Sequence, residues 1–472
     1  MPDRNGTNRD GVGARQWLLA FDAGSTYLKA ALFDEQLNRV AEDAVRIVYS
    51  RSGPSLVEMD PNAFVRAALK LRLGLCRSVG IQASAVARLA LTSQAQTFTV
   101  TDAHGTALCP LLSWLDKRAG AEAEELTQRF GAQFHRHCSF GQLLPQLQAC
   151  KVLWLRRHEP DLFKRRHQLA FLPGYLSGAL GGRNRVDANL AAMGGLYSLE
   201  SGGWWESMAS YCGVSGRLPA LIPSAAKHTD MDVVLAGNDQ SAGAVANGCS
   251  SRDVIVTLGT ALVVYRCAGK MPGPYSANGC WGPYPGGGYY ELATVDEGCL
   301  ALDRACADLC FPAGIEAFME QAETAYAEGG GATGSFFFPE HSGSAAAWAG
   351  TGTLAQRALA VVEGITFALR TLLVDELGVD LHAQRVCVTG GGSRSAFWCQ
   401  LIADVLDCPV RRGRGDALLG AALIATGRTA SASASAPVEW QPHPARVAMV
   451  TQRRARWQQQ RAASGSLAQG TS

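Results

Sequence analysis

Residues 20–34 read AFDAGSTYLKAALFD, and the architecture hangs on how they are read. An apolar run delivers Asp22, then Gly24, Ser25 and Thr26 make a short polar turn. Lys29 follows as apolar alternation resumes. The pattern predicts a hairpin, QWLLAFDAG returning as YLKAALFD. Neither a Walker A loop nor a dinucleotide fingerprint is present, because both glycine patterns are missing. A tight turn can still aim backbone N–H groups and the Ser25 and Thr26 hydroxyls at one anion. Asp22 would repel a phosphate unless a divalent cation stood between them, so the combination points to Mg2+. A decorated hairpin without a ligand explains this single segment equally well.

Related turns recur. DVIVTLGTALVVYRC (253–267) carries Gly259 and Thr260 at its tip, and TGGGSRS (389–395) sets three glycines between a strand and a helix. Such glycines let a backbone approach a flat or anionic ligand near a helix N-terminus. Three loops spread across both halves are hard to explain as turns alone. Between them lies DVVLAGNDQSAGAVANG (232–248), where Asp239 follows an apolar strand. A carboxylate there can accept a proton from a substrate hydroxyl, and phosphoryl transfer otherwise needs mainly positioning and charge neutralisation. The plainer reading of Asp239 is an Asx turn. Two halves of similar design facing each other would form a cleft.

Composition sets the outer limits. The 472 residues suffice for two or three domains, with 47% apolar and 18% charged residues. A net charge of +2 implies neither a nucleic-acid partner nor an anionic membrane surface. No apolar run is long enough to cross a bilayer. Residues 1–15 are polar and glycine-rich and read as a disordered leader. The 14 cysteines are scattered without C-x-x-C, which favours reduced thiols in the cytoplasm over a disulfide framework. Cys306 and Cys310 are expected on one helix face, and HRHC (135–138) resembles a metal cluster only superficially.

Residues 62–80 have helical periodicity ending at a glycine, and 86–108 read as strand, turn and strand. Helices dominate 120–209, Pro223 suggests a boundary, and 354–378 form a long amphipathic helix. After TASASASAP (429–437) the chain reads as a low-complexity linker and peripheral helix.

In order and rough spacing these motifs resemble the FGGY carbohydrate kinases, from about Trp17 to Gly427. The resemblance implies an α/β fold in which two actin-like, ribonuclease-H-like domains flank a catalytic cleft and close over sugar and MgATP. It implies a sugar-binding domain over 16–233, an ATP-binding domain over 234–430 and a tail over 431–472. FDAGSTYLKAALFD resembles the family's D-x-G-T/S-x-x-x-K phosphate motif, which assigns nucleotide contacts to Asp22, Gly24, Ser25, Thr26 and Lys29. Asp22 would hold the metal through water. AGNDQSAGA resembles the strand bearing the catalytic aspartate, so Asp239 inherits that role, with contacts to metal and substrate, and Gln240 beside it is a further substrate contact.

LGT resembles the second phosphate turn at Gly259 and Thr260, and GGGSRSAFWCQLIADVL resembles the adenosine segment, with Gly391, Gly392 and Ala396. Gly298 joins that nucleotide side by the same resemblance. SWLDKRA resembles a W-x-D-x-R sugar motif, giving Trp114, Asp116 and Arg118. Gln94, Gln96 and, more weakly, Gln146 are further sugar candidates.

The implied activity is ATP-dependent phosphorylation of a terminal hydroxyl on a small ketose or polyol. The expected substrate is xylulokinase-like, D-xylulose or a related pentulose. Alternatives are another ketose, a tetritol or glycerol. Two further alternatives are a non-catalytic nucleotide- or sugar-binding regulator and an actin- or Hsp70-like ATPase. Homodimerisation is a family expectation. Three departures stand out. TSQAQT (92–97) places Ala95 and Gln96 where relatives carry Met-His or Arg-Glu, which counts against glycerol. A shortened segment after FFFPEHSGSAAAW lacks the G-E-R-x-P loop, and Arg357 replaces an apolar residue.

Overall fold

Trp17–Ala23 (β1) buries all seven of its residues and returns as Tyr27–Phe33 (β2). The strands pair antiparallel with Asp22 opposite Lys29, so the expected hairpin forms. The computed structural model describes residues 16–53, 55–138, 140–164, 166–223, 233–259, 261–271, 279–295, 298–311, 314–328, 334–430 and 438–469, with side chains to 463. Arg39–Arg46 (β3) extends the hairpin antiparallel. Val86–Ser93 (β4) pairs parallel with the other side of β1, and Val233–Asn238 (β5) pairs parallel with β4. The order is β5-β4-β1-β2-β3.

A second sheet repeats the plan. Asp253–Leu258 (β6) and Leu262–Ala268 (β7) form its hairpin, flanked by Gly279–Pro283 (β8) and Tyr289–Val295 (β9). Arg385–Thr389 (β10) and Val410–Arg412 (β11) continue it in parallel, and Glu439–Trp440 (β12) closes the edge. The order is β8-β9-β7-β6-β10-β11-β12. Its inner strands β9-β7-β6-β10-β11 reproduce the first sheet's order and sense. Two such sheets make the duplicated actin-like, ribonuclease-H-like arrangement.

The helix Ala417–Thr426 ties the lobes together. It lies in the second half of the chain yet packs Leu418, Ala421, Ala422 and Ala425 on Leu18, Ala20, Ala90 and Val234 of the first sheet. Small residues allow that closeness. A Cβ on Gly420 would fall 1.8 Å from the Ala242 carbonyl oxygen in the helix Asp239–Ala246. A helical cap, with Phe130, Phe134, Leu153 and Trp205 in its core, forms much of the remaining first half.

The expectations meet three adjustments. The division at 233/234 cuts after the first residue of β5, a strand hydrogen-bonded into the first sheet. Residues 86–93 and 98–101 are both strands, as expected, and they enter different sheets. Cys310 lies beyond the helix Cys299–Asp308 with φ 51°, so it does not share a face with Cys306.

The tail is not peripheral. Trp457, in the helix Pro444–Gln469, is 1% exposed and donates its indole N–H to the Phe337 carbonyl at 2.7 Å. Arg453 pairs with the buried Glu363 of the helix Leu354–Arg370. Sequence complexity misled because the Ala-Ser stretch stops before this docked helix. Trp457→Ala is therefore expected to cost about 3–5 kcal/mol, seen as a lower urea midpoint. A loss of unfolding free energy under about 0.5 kcal/mol would mean that the helix adds little to the core.

Candidate active site

The C-terminal ends of β1, β4 and β5 bring the first group of residues together. Asp22 ends its strand beside Thr92, and Ser93 lies beside Asn238. At Gly237 the β5 register shifts and φ reaches 76°, a left-handed turn that a side chain resists. The Thr92 hydroxyl donates to the Gly237 carbonyl at 2.8 Å. This kink presents Asp239 as the first residue of the following helix.

Asn189 fixes the kink from outside. Its Oδ1 accepts from the Asn238 backbone N–H and Nδ2 at 2.9 and 2.7 Å. Its own Nδ2 donates to Ser241 Oγ and to the Pro283 carbonyl, both at 2.8 Å. Ser241 in turn shares a 2.7 Å hydrogen bond with Tyr265 Oη on β7. A polar chain thus crosses from the first lobe to the second. Gln240 crosses too, its Oε1 accepting from Thr257 Oγ1 at 3.0 Å, one strand end from the Gly259 turn. The structure therefore puts Gln240 at the lobe junction.

Asp22 and Asp239 repel each other there. Burial, then the Asp239 carboxylate, raises Asp22 to about 7; Lys29 opposes the shift and Asp416 reinforces it. Burial also raises Asp239 to about 6, against the Gln240 N–H at 2.8 Å and the Lys29 charge. Asp22 Oδ1 is buried without a hydrogen-bond partner among the described residues. An unpaired buried carboxylate oxygen beside a second carboxylate fits a divalent cation. Mg2+ needs no all-protein cage, because waters and phosphate oxygens complete its shell.

Gly24, Ser25 and Thr26 form the turn itself. The Gly24 N–H donates to the Tyr27 carbonyl at 3.1 Å, and the Ser25 carbonyl accepts from Tyr49 Oη at 2.7 Å. Thr26 is exposed. In the second lobe Gly259, Gly298 and Gly390–Gly392 converge. The Cys299 N–H donates to the Gly259 carbonyl at 2.8 Å. A Cβ on Gly298 would meet the Leu262 nitrogen at 2.4 Å. Gly391 lies open, and Ala396 begins the helix after the glycines and is exposed. Thr260 lies outside the described residues.

The sugar candidates divide. Gln94 is 4% exposed, with both amide atoms unpartnered among the described residues, and its N–H donates to the Ala23 carbonyl at 2.8 Å. Gln96 has φ 61° and its carbonyl accepts from Lys151 Nζ at 2.9 Å. The Trp114 indole N–H is buried and unpartnered among the described residues, while Gln146 is half-buried. Asp116 is a correction. It is fully buried and spends its oxygens on the Val57 N–H at 2.7 Å and on Arg118 Nε and Nη2 at 2.9 and 2.7 Å. It shapes the Trp114 loop, and both its oxygens already accept hydrogen bonds within the protein.

The Arg357 departure has a local cause, since its guanidinium stacks 4.3 Å over the Trp348 ring at the shortened segment. HRHC ends a helix with His137 stacked on Trp205 and Cys138 buried. Sequence reading missed Asn189 and Lys151. A lone Asn in DANLAAM and a lone Lys in ACKVLWL were the available signals.

Fold and junction together define a two-lobed phosphotransferase acting on an alcohol. The chain belongs to the FGGY family of carbohydrate kinases: residues 17–246 match the family's N-terminal domain and 331–427 its C-terminal domain, more than half of the chain together. It is 27% identical over 415 residues to the xylulose kinase of Escherichia coli strain K12, covering 82% of this chain and 84% of that one. It is 25% identical over 454 residues to the glycerol kinase of Janthinobacterium sp. strain Marseille, covering 84% and 86%. The crystal structure of xylulose kinase from Rhodospirillum rubrum superposes with a TM-score of 0.82 at 22% identity, covering 96% of this chain and 99% of that one.

The Asp22 shift has a stability consequence. A carboxyl that binds its proton more tightly folded than unfolded adds stability at low pH and loses it as pH climbs from about 4 to about 7. Asp22→Asn should therefore stabilise the metal-free protein by on the order of 2–4 kcal/mol at pH 8. The gain should shrink as pH falls toward 4, measured by urea unfolding in chelator.

Proposed function

We propose that this chain transfers the γ-phosphate of MgATP to a terminal hydroxyl of a small ketose, D-xylulose or a related pentulose. The observation that carries the reading is Asp239, placed by the Gly237 kink between the Asp22 turn and, through Gln240 and Thr257, the Gly259 turn. The xylulose kinase relatives support the pentulose, and Ala95 in place of an arginine weighs against glycerol. Fourteen free thiols suit a reducing compartment, so the cytoplasm is the proposed location.

Asp239 accepts the proton of the attacking hydroxyl, and the Gln240 N–H at its Oδ1 orients the carboxylate. Lys29 and the Gly24–Thr26 turn face the transferred phosphoryl group, and the Gly259 and Gly390–Gly392 turns receive the rest of the nucleotide. Asp22 would hold Mg2+ through water, and the bound ion would supply charge neutralisation. Closure of the lobes about the Asn189–Ser241–Tyr265 chain excludes water.

ADP release should depend on a ketose in a panel of pentuloses, hexuloses, tetritols and glycerol. Asp239→Asn should lower kcat by ~10²–10⁴-fold while nucleotide still binds. Because the base works deprotonated and its carboxyl is raised to about 6, kcat/KM should fall as pH drops through about 6. Nucleotide binding with no turnover on any polyol would instead favour a regulator, and polyol-independent release an ATPase.

A further inference from the structure

Gln148 opens the helix Gln148–His158, is 0% exposed, and has neither amide atom hydrogen-bonded among the described residues. Burying an amide without partners is unfavourable, and native proteins rarely tolerate it unless something else completes the bonds. Its position says what that would be. Three residues on, along the same helix face, Lys151 Nζ donates to the carbonyls of Gln96 and Ser113 at 2.9 and 2.7 Å. This stitches the start of the helix to the Gln94–Thr97 loop and to the Trp114 loop. The Trp114 backbone N–H donates to Thr97 Oγ1 at 3.1 Å, closing the same set.

On its other side, Gln148 abuts Gly194, where a Cβ would come within 2.0 Å of Oε1. Gly194 follows the Ala188–Ala191 helix, whose Asn189 anchors the strand end presenting Asp239.

On these linked segments five buried polar atoms have no hydrogen-bond partner among the described residues: both amide atoms of Gln94, both of Gln148, and the Trp114 indole N–H. All are neutral. The cations bordering them are committed, Lys151 to two carbonyls and Arg118 to Asp116 and Glu58. We propose that Gln148 is a specificity-determining residue whose amide reads a non-reacting hydroxyl of the substrate. Beside Gln94 and Trp114, it selects a neutral polyhydroxyl compound over a sugar acid. This rests on the sugar-kinase reading given above.

Gly194 makes the test independent of deleting Gln148. Gly194→Ala keeps Gln148 but drives its amide from its present position. Gln148→Ala, Gly194→Ala and the double variant are assayed with the preferred ketose, with its deoxy analogues, and with an aldonate. Each single variant should raise the ketose KM by ~10–100-fold with ATP KM within about twofold, and should erase the preference over one particular deoxy analogue. The double variant should be no worse than Gln148→Ala, because the glycine matters only through the glutamine. Thermal unfolding without ligand reports whether each variant folds.

A wild type active on the ketose, with Gln148→Ala leaving ketose KM and deoxy preference unchanged, overturns this assignment alone. A wild type that prefers the aldonate also overturns it. A wild type inactive on every neutral ketose and polyol overturns it together with the functional reading.

Discussion

Two carboxylates that repel each other occupy one junction, and the rest of the molecule is arranged to keep them there. Asp22 ends the central strand of the first sheet, and Asp239 follows the edge strand two places away. Burial raises both proton affinities, and the Asp239 charge adds to the rise at Asp22. Such an arrangement opposes folding, so it persists only where surrounding structure over-determines it. That structure is visible: Asn189 clamps the strand end, Thr92 holds the Gly237 carbonyl, and the Ala417–Thr426 helix packs on the same sheet. Lys29, opposite Asp22, supplies a compensating charge acting on both.

The same constraint explains why the lobes meet through small and polar groups. Gly420 admits the Ala242 carbonyl, and Asn189, Ser241 and Tyr265 carry a hydrogen-bonded chain across the seam. The docked C-terminal helix stiffens the second lobe far from the seam, through the buried Glu363–Arg453 pair and Trp457.

Much of this was legible in the sequence because it is encoded locally. The β1–β2 hairpin, the strand ahead of Asp239 and the glycine loop before 396–406 each show period and punctuation within a few residues. What escaped depends on distant partners. Asn189 meets Asn238 across 49 residues and Lys151 meets Gln96 across 55, and neither spacing leaves a periodic trace. Asp116 was misread for a related reason: a motif shows that a carboxylate matters, while only coordinates show its oxygens already taken. The tail was misjudged from composition, although Trp457 finds its acceptor 120 residues back along the chain.

If the junction exists to pass a phosphoryl group to an alcohol and not to water, the fate of that group in one turnover reports on it. Rapid-quench of excess protein with γ-labelled MgATP and D-xylulose should place the label in an acid-stable sugar phosphoester, with little inorganic phosphate. Label released as inorganic phosphate, at the same rate with or without the sugar, would contradict the account.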